Sequence, residues 1–240
     1  MKKKITKKDI IYLSIIGVLL ILLGFLLVKA IMNKSNSFEA YYNRKCLAYS
    51  VENANYAKGQ IIFIGDSITD LYTLDEYYKL PLATYNRGIG GDTTEGVLKR
   101  LDVSLFDLKP KAVVLMIGTN DVNGRKDEDG IIDRYEKILK SIKDHLPDTL
   151  VYVMSIIPQN SDIGTYSSID YKDSNEIITR LNEQINSLVT KYSYTYLDLF
   201  SLLLNDDGLN KNYSDDGLHL NKEGFIIWTN LLKPYLEVIE

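Results

Sequence analysis

Residues 61–69 read Ile61-Ile62-Phe63-Ile64-Gly65-Asp66-Ser67-Ile68-Thr69. The first four are apolar, and a short apolar run that ends at a glycine is typical of a strand covered on both faces. Similar runs occur at residues 112–117, 150–157 and 194–199. We therefore predict a parallel sheet. Ligands of such sheets bind at the carboxyl ends of the strands, where residues 65–69 would lie.

Amphipathic helices alternate with these runs. Apolar residues recur at helical spacing over residues 131–146 and 177–189, and a last helix is predicted around residues 225–235. This alternation implies right-handed crossovers and a three-layer α/β/α sandwich. No repeat or Pro/Ser-rich linker divides the chain after residue 34, so we predict a stalk and first helix at residues 35–59 and one domain at residues 60–240.

The composition limits the kinds of site that the chain can build. Of 240 residues, 45% are hydrophobic and 25% are charged, which is typical of a globular protein. A single cysteine, Cys46, excludes an internal disulfide framework and a Cys-rich zinc site. The two histidines, His145 and His219, leave almost no ligands for a His-bound metal, so any imidazole chemistry must use one of them.

The N-terminal residues predict a membrane anchor. Residues 10–28 form an almost wholly apolar stretch, and as a helix they would span about 28 Å, close to the hydrocarbon thickness of a bilayer. Five lysines precede this stretch and two follow it closely, so residues 1–34 are expected to form a cytoplasmic basic tail and a transmembrane helix, with the rest of the chain outside. Cleavage near residues 28–30 as a signal peptide is the alternative, and it would release a secreted protein.

The chain after residue 34 is acidic. It has 21 basic and 31 acidic residues. Nucleic-acid binders need a basic face, so we expect no nucleic-acid partner.

Ser67 follows the first predicted strand at a turn into a helix. A serine at such a turn can project its hydroxyl above the sheet edge while its own N–H faces a bound oxyanion. The alternative is a plain helix cap, because Asp66 and Ser67 are both favoured there. The segment is not the Gly-x-Ser-x-Gly elbow of α/β-hydrolases, since Ile68 and Thr69 follow the serine.

A glycine-rich segment follows a second strand region, which is expected just before residue 86, and opens a helix. It reads Asn86-Arg87-Gly88-Ile89-Gly90-Gly91-Asp92-Thr93-Thr94. Closely spaced glycines before a helix let backbone N–H groups approach an anion. The segment lacks the ending of a P-loop and the glycine spacing of a dinucleotide site, and a tight structural turn is the alternative.

Gly118-Thr119-Asn120-Asp121 follows the strand predicted at residues 112–117. The Asn120 side chain could aim an N–H at a developing oxyanion. A helix cap or a turn is the alternative for this segment, because Asn and Asp favour both.

The last candidate segment is Ser214-Asp215-Asp216-Gly217-Leu218-His219-Leu220. An Asp three residues before a His can accept from the imidazole Nδ1–H within one turn, which leaves Nε2 free as a base. A surface turn with a solvated His219 is the alternative. The other histidine, His145, is expected at the C-terminal end of a helix, where the dipole favours it.

Together, the four segments resemble the SGNH hydrolase superfamily, also called GDSL esterases, from about Ile61 to the last helix. The order and separation of the four blocks carry this resemblance. Residues 88–94 look most like the platelet-activating-factor acetylhydrolase branch and related bacterial esterases. The resemblance implies a flavodoxin-like α/β/α fold, but it does not carry the identity of the substrate.

The resemblance also implies the role of each site residue. Ser67 would be the nucleophile, His219 the base, and Asp216 the residue that orients the imidazole. The oxyanion hole would consist of the Ser67 N–H, the Gly91 N–H and the Asn120 side chain. This chemistry requires no metal and no organic cofactor.

The expected function is ester hydrolysis through an acyl-enzyme, on short acyl groups, acetyl among them, of cell-surface carbohydrate. An outward-facing domain would meet glycans and lipids, and a polar, Tyr-containing loop at residues 158–171 suits a sugar better than a fatty chain. A lysophospholipase or lipase activity, acyl transfer by the same three residues, and a non-catalytic glycan-binding domain are the alternatives.

Overall fold

The computed structural model describes residues 7–125, 127–164, 172–206 and 208–239. In the first helix, it describes the side chains of residues 16–27, residue 29 and residues 37 onward, and in the helix that begins at Lys172, those of residues 174 onward. The chain divides into two compact units, Met1–Arg44 and Lys45–Glu240. The second unit contains the sheet and every candidate site residue.

Within the described ranges, five parallel strands form the main sheet, in the order β2-β1-β3-β4-β5. Their register aligns Ile61 with Thr84 on one side and with Ala112 on the other. A separate antiparallel pair, β6 and β7, lies outside this sheet. The strands are β1 Ile61–Gly65, β2 Thr84–Gly88, β3 Ala112–Met116, β4 Leu150–Met154, β5 Thr195–Leu197, β6 Leu204–Asn205 and β7 Gly208–Leu209.

Helices connect the strands and cover the sheet. One short π-helix, Asp102–Phe106, follows α4. The α-helices are α1 Lys7–Asn53, α2 Ser67–Asp70, α3 Leu74–Tyr77, α4 Thr94–Lys99, α5 Thr119–Asn123, α6 Glu128–His145, α7 Lys172–Lys191, α8 Phe200–Leu203 and α9 Lys222–Leu236.

The sheet has a hydrophobic core on each face, because successive strand residues point to opposite sides. Ile62 and Ile64 belong to a cluster with apolar residues of α6 and α7. Ile61 and Phe63 belong to a second cluster, with Trp228 of α9. The predicted α/β fold with a parallel sheet is therefore confirmed.

The strands differ from their predicted limits in two ways. The runs at residues 150–157 and 194–199 are strand only over Leu150–Met154 and Thr195–Leu197, and the residues that follow each strand lead into loops at the carboxyl edge. Strand β2 reaches Gly88 and so includes the start of the glycine-rich segment. It is the edge strand and is only partly buried, so it needs no continuous apolar run.

Helix α1 contains the stretch predicted to cross a membrane. Among the described residues, however, no helix is long and apolar enough to do so, and the predicted transmembrane helix is not confirmed. The helix also continues to Asn53, so no separate helix begins within the stalk expected at residues 35–59. Residues 25–53 contain no glycine or proline that would end the helix earlier.

Candidate active site

Ser67 lies at the carboxyl end of β1, as the first residue of α2. The side chain of Asp66 caps this helix by accepting from the Ile68 N–H at 3.0 Å. At Gly65 a Cβ atom would lie 2.2 Å from the Met116 carbonyl oxygen, so only glycine lets the strand end this close to β3. This packing presents the half-buried Ser67 hydroxyl at the sheet edge.

A chain of hydrogen bonds joins three of the predicted site residues. The Ser67 Oγ lies 2.9 Å from His219 Nε2, and His219 Nδ1 lies 2.7 Å from Asp216 Oδ2. With Nδ1–H donated to the carboxylate, Nε2 is the basic nitrogen and faces the serine hydroxyl. The three side chains are thus arranged for proton transfer from serine to imidazole.

The Asp216 carboxylate holds the His219 turn with its second oxygen. Oδ1 accepts from the backbone N–H groups of Leu218 and His219, at 2.9 and 2.7 Å. Partial burial alone would raise the pKa of Asp216, but the hydrogen bonds from the His219 side chain and from these two N–H groups lower it below its usual value. The carboxylate is therefore ionised at neutral pH.

The loop after β4 supports this turn. The Asn160 N–H donates to the Gly217 carbonyl at 2.8 Å. Gly217 has φ +82°, and a Cβ there would lie 2.0 Å from the Asn160 carbonyl oxygen. At Gly164, a Cβ would lie 2.5 Å from the Asp215 carbonyl oxygen. The described part of the polar loop thus borders the site, whereas residues 165–171 of that loop lie outside the described residues.

The other two predicted oxyanion-hole residues, Gly91 and Asn120, lie on two further segments at this edge of the sheet. Gly91 follows β2 in an exposed turn with φ +80°, which favours glycine. Asn120 belongs to α5, directly after β3, and its Nδ2 donates to the Asp92 carbonyl oxygen at 2.9 Å. An amide nitrogen carries two N–H bonds, so this contact leaves one for a substrate oxyanion.

His145 lies apart from these residues, at the end of α6. Its Nδ1 lies 2.9 Å from the Ser141 carbonyl oxygen, and its ring stacks on Phe106 at 4.4 Å between centroids. The prediction of a helix-terminal histidine is confirmed.

Sequence reasoning missed a set of buried charges beneath the site. Asp121 and Arg100 are almost completely buried. Asp121 accepts twice from Thr94 at the start of α4, and Arg100 donates to Asp92, next to Gly91, and to the Arg87 carbonyl of β2. Asp121 belongs to the motif Gly118-Thr119-Asn120-Asp121, in which only Asn120 was predicted to have a role in catalysis. Arg100 follows the helix that the glycine-rich segment opens, and nothing in the sequence distinguishes it from a solvent-facing residue. Among the described residues, no group of three or more His, Cys, Asp or Glu side chains could hold a metal ion.

The fold and the hydrogen-bonded serine, histidine and aspartate are those of a serine-type ester hydrolase. Residues 63–225 match the GDSL-like Lipase/Acylhydrolase family. The chain belongs to this family. It is thus an acylhydrolase of the GDSL/SGNH type, as the resemblance implies.

Several known proteins are similar to the chain over most of its length. The platelet-activating factor acetylhydrolase IB subunit alpha2 of Bos taurus is 29% identical over 192 residues, which cover 75% of each chain. A structure from Streptococcus pneumonia, named for platelet activating factor, is 30% identical with a TM-score of 0.80, over 87% of this chain and 99% of that one. A GDSL-like lipase from Bacteroides thetaiotaomicron is 26% identical with a TM-score of 0.71, over 82% of this chain and 98% of that one.

Proposed function

We propose that this protein is a serine esterase that removes short acyl groups, acetyl above all, from cell-surface carbohydrate through an acyl-enzyme on Ser67. The observation that carries the proposal is the pair of contacts of His219, at 2.9 Å to the Ser67 hydroxyl and at 2.7 Å to Asp216. A base that is oriented on one side and bonded to a serine on the other activates that serine for attack.

In the first half of the reaction, Ser67 Oγ attacks the ester carbonyl carbon and His219 Nε2 takes the hydroxyl proton. The carbonyl electron pair moves to oxygen, and the Ser67 N–H, the Gly91 N–H and the Asn120 side chain bind this oxyanion. When the tetrahedral species collapses, the bond to the leaving alcohol breaks and His219 protonates that alcohol.

In the second half, water attacks the acyl-enzyme as His219 takes its proton. The bond between the acyl carbon and Ser67 Oγ breaks, and the proton returns to the serine. Asp216 stays ionised throughout and stabilises the imidazolium in both halves.

The choice of acyl group and leaving group has separate support. The Bos taurus relative is named an acetylhydrolase, which favours a two-carbon acyl group. The described part of the segment after β4 that borders the Asp216 turn is polar at its surface, with the half-buried Ser161 and the exposed Asp162 among its residues. Hydroxyl and carboxylate side chains suit the hydroxyl groups of a sugar better than a fatty chain.

The location of the enzyme is proposed from the sequence: the N-terminal segment would hold the domain on the outer face of the membrane. The apolar stretch at residues 10–28 and the lysines before it support this. In the described part of α1, large apolar side chains from Ile16 to Leu27 are exposed by 51% to 73%. Recovery of the full chain in the membrane fraction at high salt is expected, and recovery in the soluble fraction would contradict it.

The first experiment compares p-nitrophenyl acetate with the octanoate, using the full chain, its Ser67→Ala variant and a Ser187→Ala control on the exposed face of α7. We expect Ser67→Ala to lose nearly all turnover, by up to about a millionfold, and the control to keep it. Full activity in Ser67→Ala would exclude the acyl-enzyme mechanism.

Natural substrates then separate the alternatives. Acetylated glycan is expected to be cleaved faster than long-chain lysophospholipid, and the reverse order would favour a lipase. Product formed on an acceptor sugar in competition with water would identify acyl transfer. A folded protein that turns over neither ester but binds glycan would be a binding domain.

A further inference from the structure

The two loops that carry the proposed oxyanion donors are joined by more than the Asn120 contact. The residue next to Asn120, Asp121, accepts twice from Thr94, the first residue of α4. Its Oδ2 accepts the Thr94 backbone N–H at 2.8 Å, and its Oδ1 accepts the Thr94 hydroxyl at 2.7 Å. Both side chains are completely buried. Asp121 therefore fixes the start of α4 to the loop after β3.

Arg134 of α6 completes this connection. Its Nε donates to the Thr94 hydroxyl oxygen at 2.7 Å, and its Nη2 lies 3.3 Å from Asp121 Oδ1. A buried carboxylate needs a cation and hydrogen bonds to offset its lost hydration. Here it has both, and charge-assisted bonds to a buried carboxylate are strong and directional.

Two attachments hold Asn120 against the segment that follows Gly91. On one side, its Nδ2 is bonded to the Asp92 carbonyl, in the loop of Gly91. On the other, its chain neighbour Asp121 is bonded two residues further along the same loop segment, at Thr94. Two attachments fix both the backbone and the side-chain rotation of Asn120, whereas either one alone would leave a rotation free.

Resting on the proposed role of Asn120 as an oxyanion donor, we propose that Asp121 and Thr94 are positioning residues. They hold the Asn120 N–H and the Gly91 N–H at the separation that the oxyanion requires. Such donors act on the transition state more than on the bound ester, and a misplacement of about 1 Å can cost about 100-fold in rate. A loss of either residue should therefore lower kcat and leave KM almost unchanged.

The first test compares Asp121→Asn and Thr94→Val with Thr94→Ser, which keeps the hydroxyl. The full chain is used, with p-nitrophenyl acetate as substrate and rates expressed per titrated Ser67. We expect kcat to fall about 10- to 100-fold in Asp121→Asn and about 10-fold in Thr94→Val, with KM within about threefold. Thr94→Ser should stay within about twofold of the parent.

The matched control is Asp127→Asn. Asp127 is an exposed aspartate that caps α6 by accepting from the Gly130 N–H at 2.9 Å, away from the hole. It undergoes the same chemical change and should keep full kcat. Thermal unfolding of every variant shows which rate losses accompany a loss of folded protein, and Thr94→Val carries the test if Asp121→Asn does not fold.

The decisive measurement repeats Asp121→Asn in an Asn120→Ala background. If Asp121 acts through Asn120, the second change should alter kcat by less than about threefold there, because the Asn120 N–H that it positions is already absent. The same loss in both backgrounds, or an unchanged kcat in both single variants, would overturn the inference. Ser67→Ala distinguishes a failure of the proposed function from a failure of this inference. If the proposed function is wrong, Ser67→Ala keeps its activity, whatever the effect of Asp121→Asn.

Discussion

His219 Nε2 lies 2.9 Å from Ser67 Oγ, although 152 residues separate the two in the chain. The parallel sheet explains the contact. Ser67 follows β1 directly, and the turn of His219 is bonded through Asn160 to the loop that follows β4. Because the five strands of the main sheet point the same way, these loops meet at one edge.

Asp216→Asn is expected to lower kcat by about 100- to 10,000-fold. An amide cannot stabilise the imidazolium, and it can turn its N–H towards Nδ1 and impose the wrong tautomer. The loss should be smaller than that of Ser67→Ala. Ester hydrolysis at saturating substrate measures it, with the exposed neighbour Asp215→Asn as control. Equal activity of the Asp216 and Asp215 variants would remove Asp216 from the mechanism.

Asp66→Asn is expected to flatten the pH dependence of stability. Burial raises the pKa of Asp66 to about 7, against the opposing effect of the Ile68 N–H, and the nearby carboxylates of Asp92 and Asp121 raise it further. The folded state thus binds this proton more tightly than the unfolded chain does. The stabilisation of the folded state by this proton is fully present below about pH 4. It is lost as the pH rises to about 7, and the free energy of unfolding then falls by a few kcal/mol.

Urea unfolding at pH 5 and pH 8 tests this. The parent protein should lose more stability between the two values than Asp66→Asn, which keeps the cap acceptor without titrating. The exposed Asp148→Asn should behave as the parent. If all three proteins show the same difference between pH 5 and pH 8, Asp66 does not change its charge in that range.

Gly217→Ala is expected to lower both stability and activity. The added Cβ would lie 2.0 Å from the Asn160 carbonyl oxygen, so the turn that carries Asp216 and His219 must shift. Gly59→Ala is the control, because Gly59 also has positive φ (+72°) but a Cβ there meets nothing within 4 Å. It should cost about 1 kcal/mol in unfolding free energy and no activity. Similar kcat values for the two variants would contradict the proposed contact.

Arg100→Met is expected to destabilise the fold by about 3 to 5 kcal/mol. Arg100 donates to Asp92 at 2.8 Å and to the Gly65 carbonyl at 3.0 Å, all within the buried region, so its removal leaves an uncompensated carboxylate. Lys99→Met removes an exposed pair with Glu95 and should cost less than about 1 kcal/mol. Denaturant unfolding measures both, and equal midpoints would show that the buried pair adds no stability.

The sequence predicted the sheet well because its signal is local. The run Ile61-Ile62-Phe63-Ile64 is apolar at every position, as required when both faces of a strand are covered, and it became β1. Edge strand β2 carries no such run, since Thr84, Tyr85 and Asn86 are only half-buried. The sequence therefore indicated only a strand region before the glycine-rich segment, and the limits of β2 became evident through its pairing with β1.

The sequence was less successful in predicting the limits of the N-terminal helix, which we expected to end before a stalk at residues 35–59. Hydropathy and lysine distribution are also local signals, but the limits of a helix depend on what stops it. No breaker follows residue 24 before Asn53, so α1 continues through the expected stalk. The membrane anchor stays a proposal.

By itself, the sequence determined the strand and helix pattern, the four motifs and their order, because each depends on residues within a few positions of one another. Tertiary structure alone decided that Ser67 and His219 meet at hydrogen-bonding distance. It also decided that Asp121 is hydrogen-bonded to Thr94 and that Arg100 is buried. The partner of a charged residue depends on which distant segments pack against it, and the local sequence does not contain that information. Burial then sets the strength of those contacts, because the same charges in water would interact weakly.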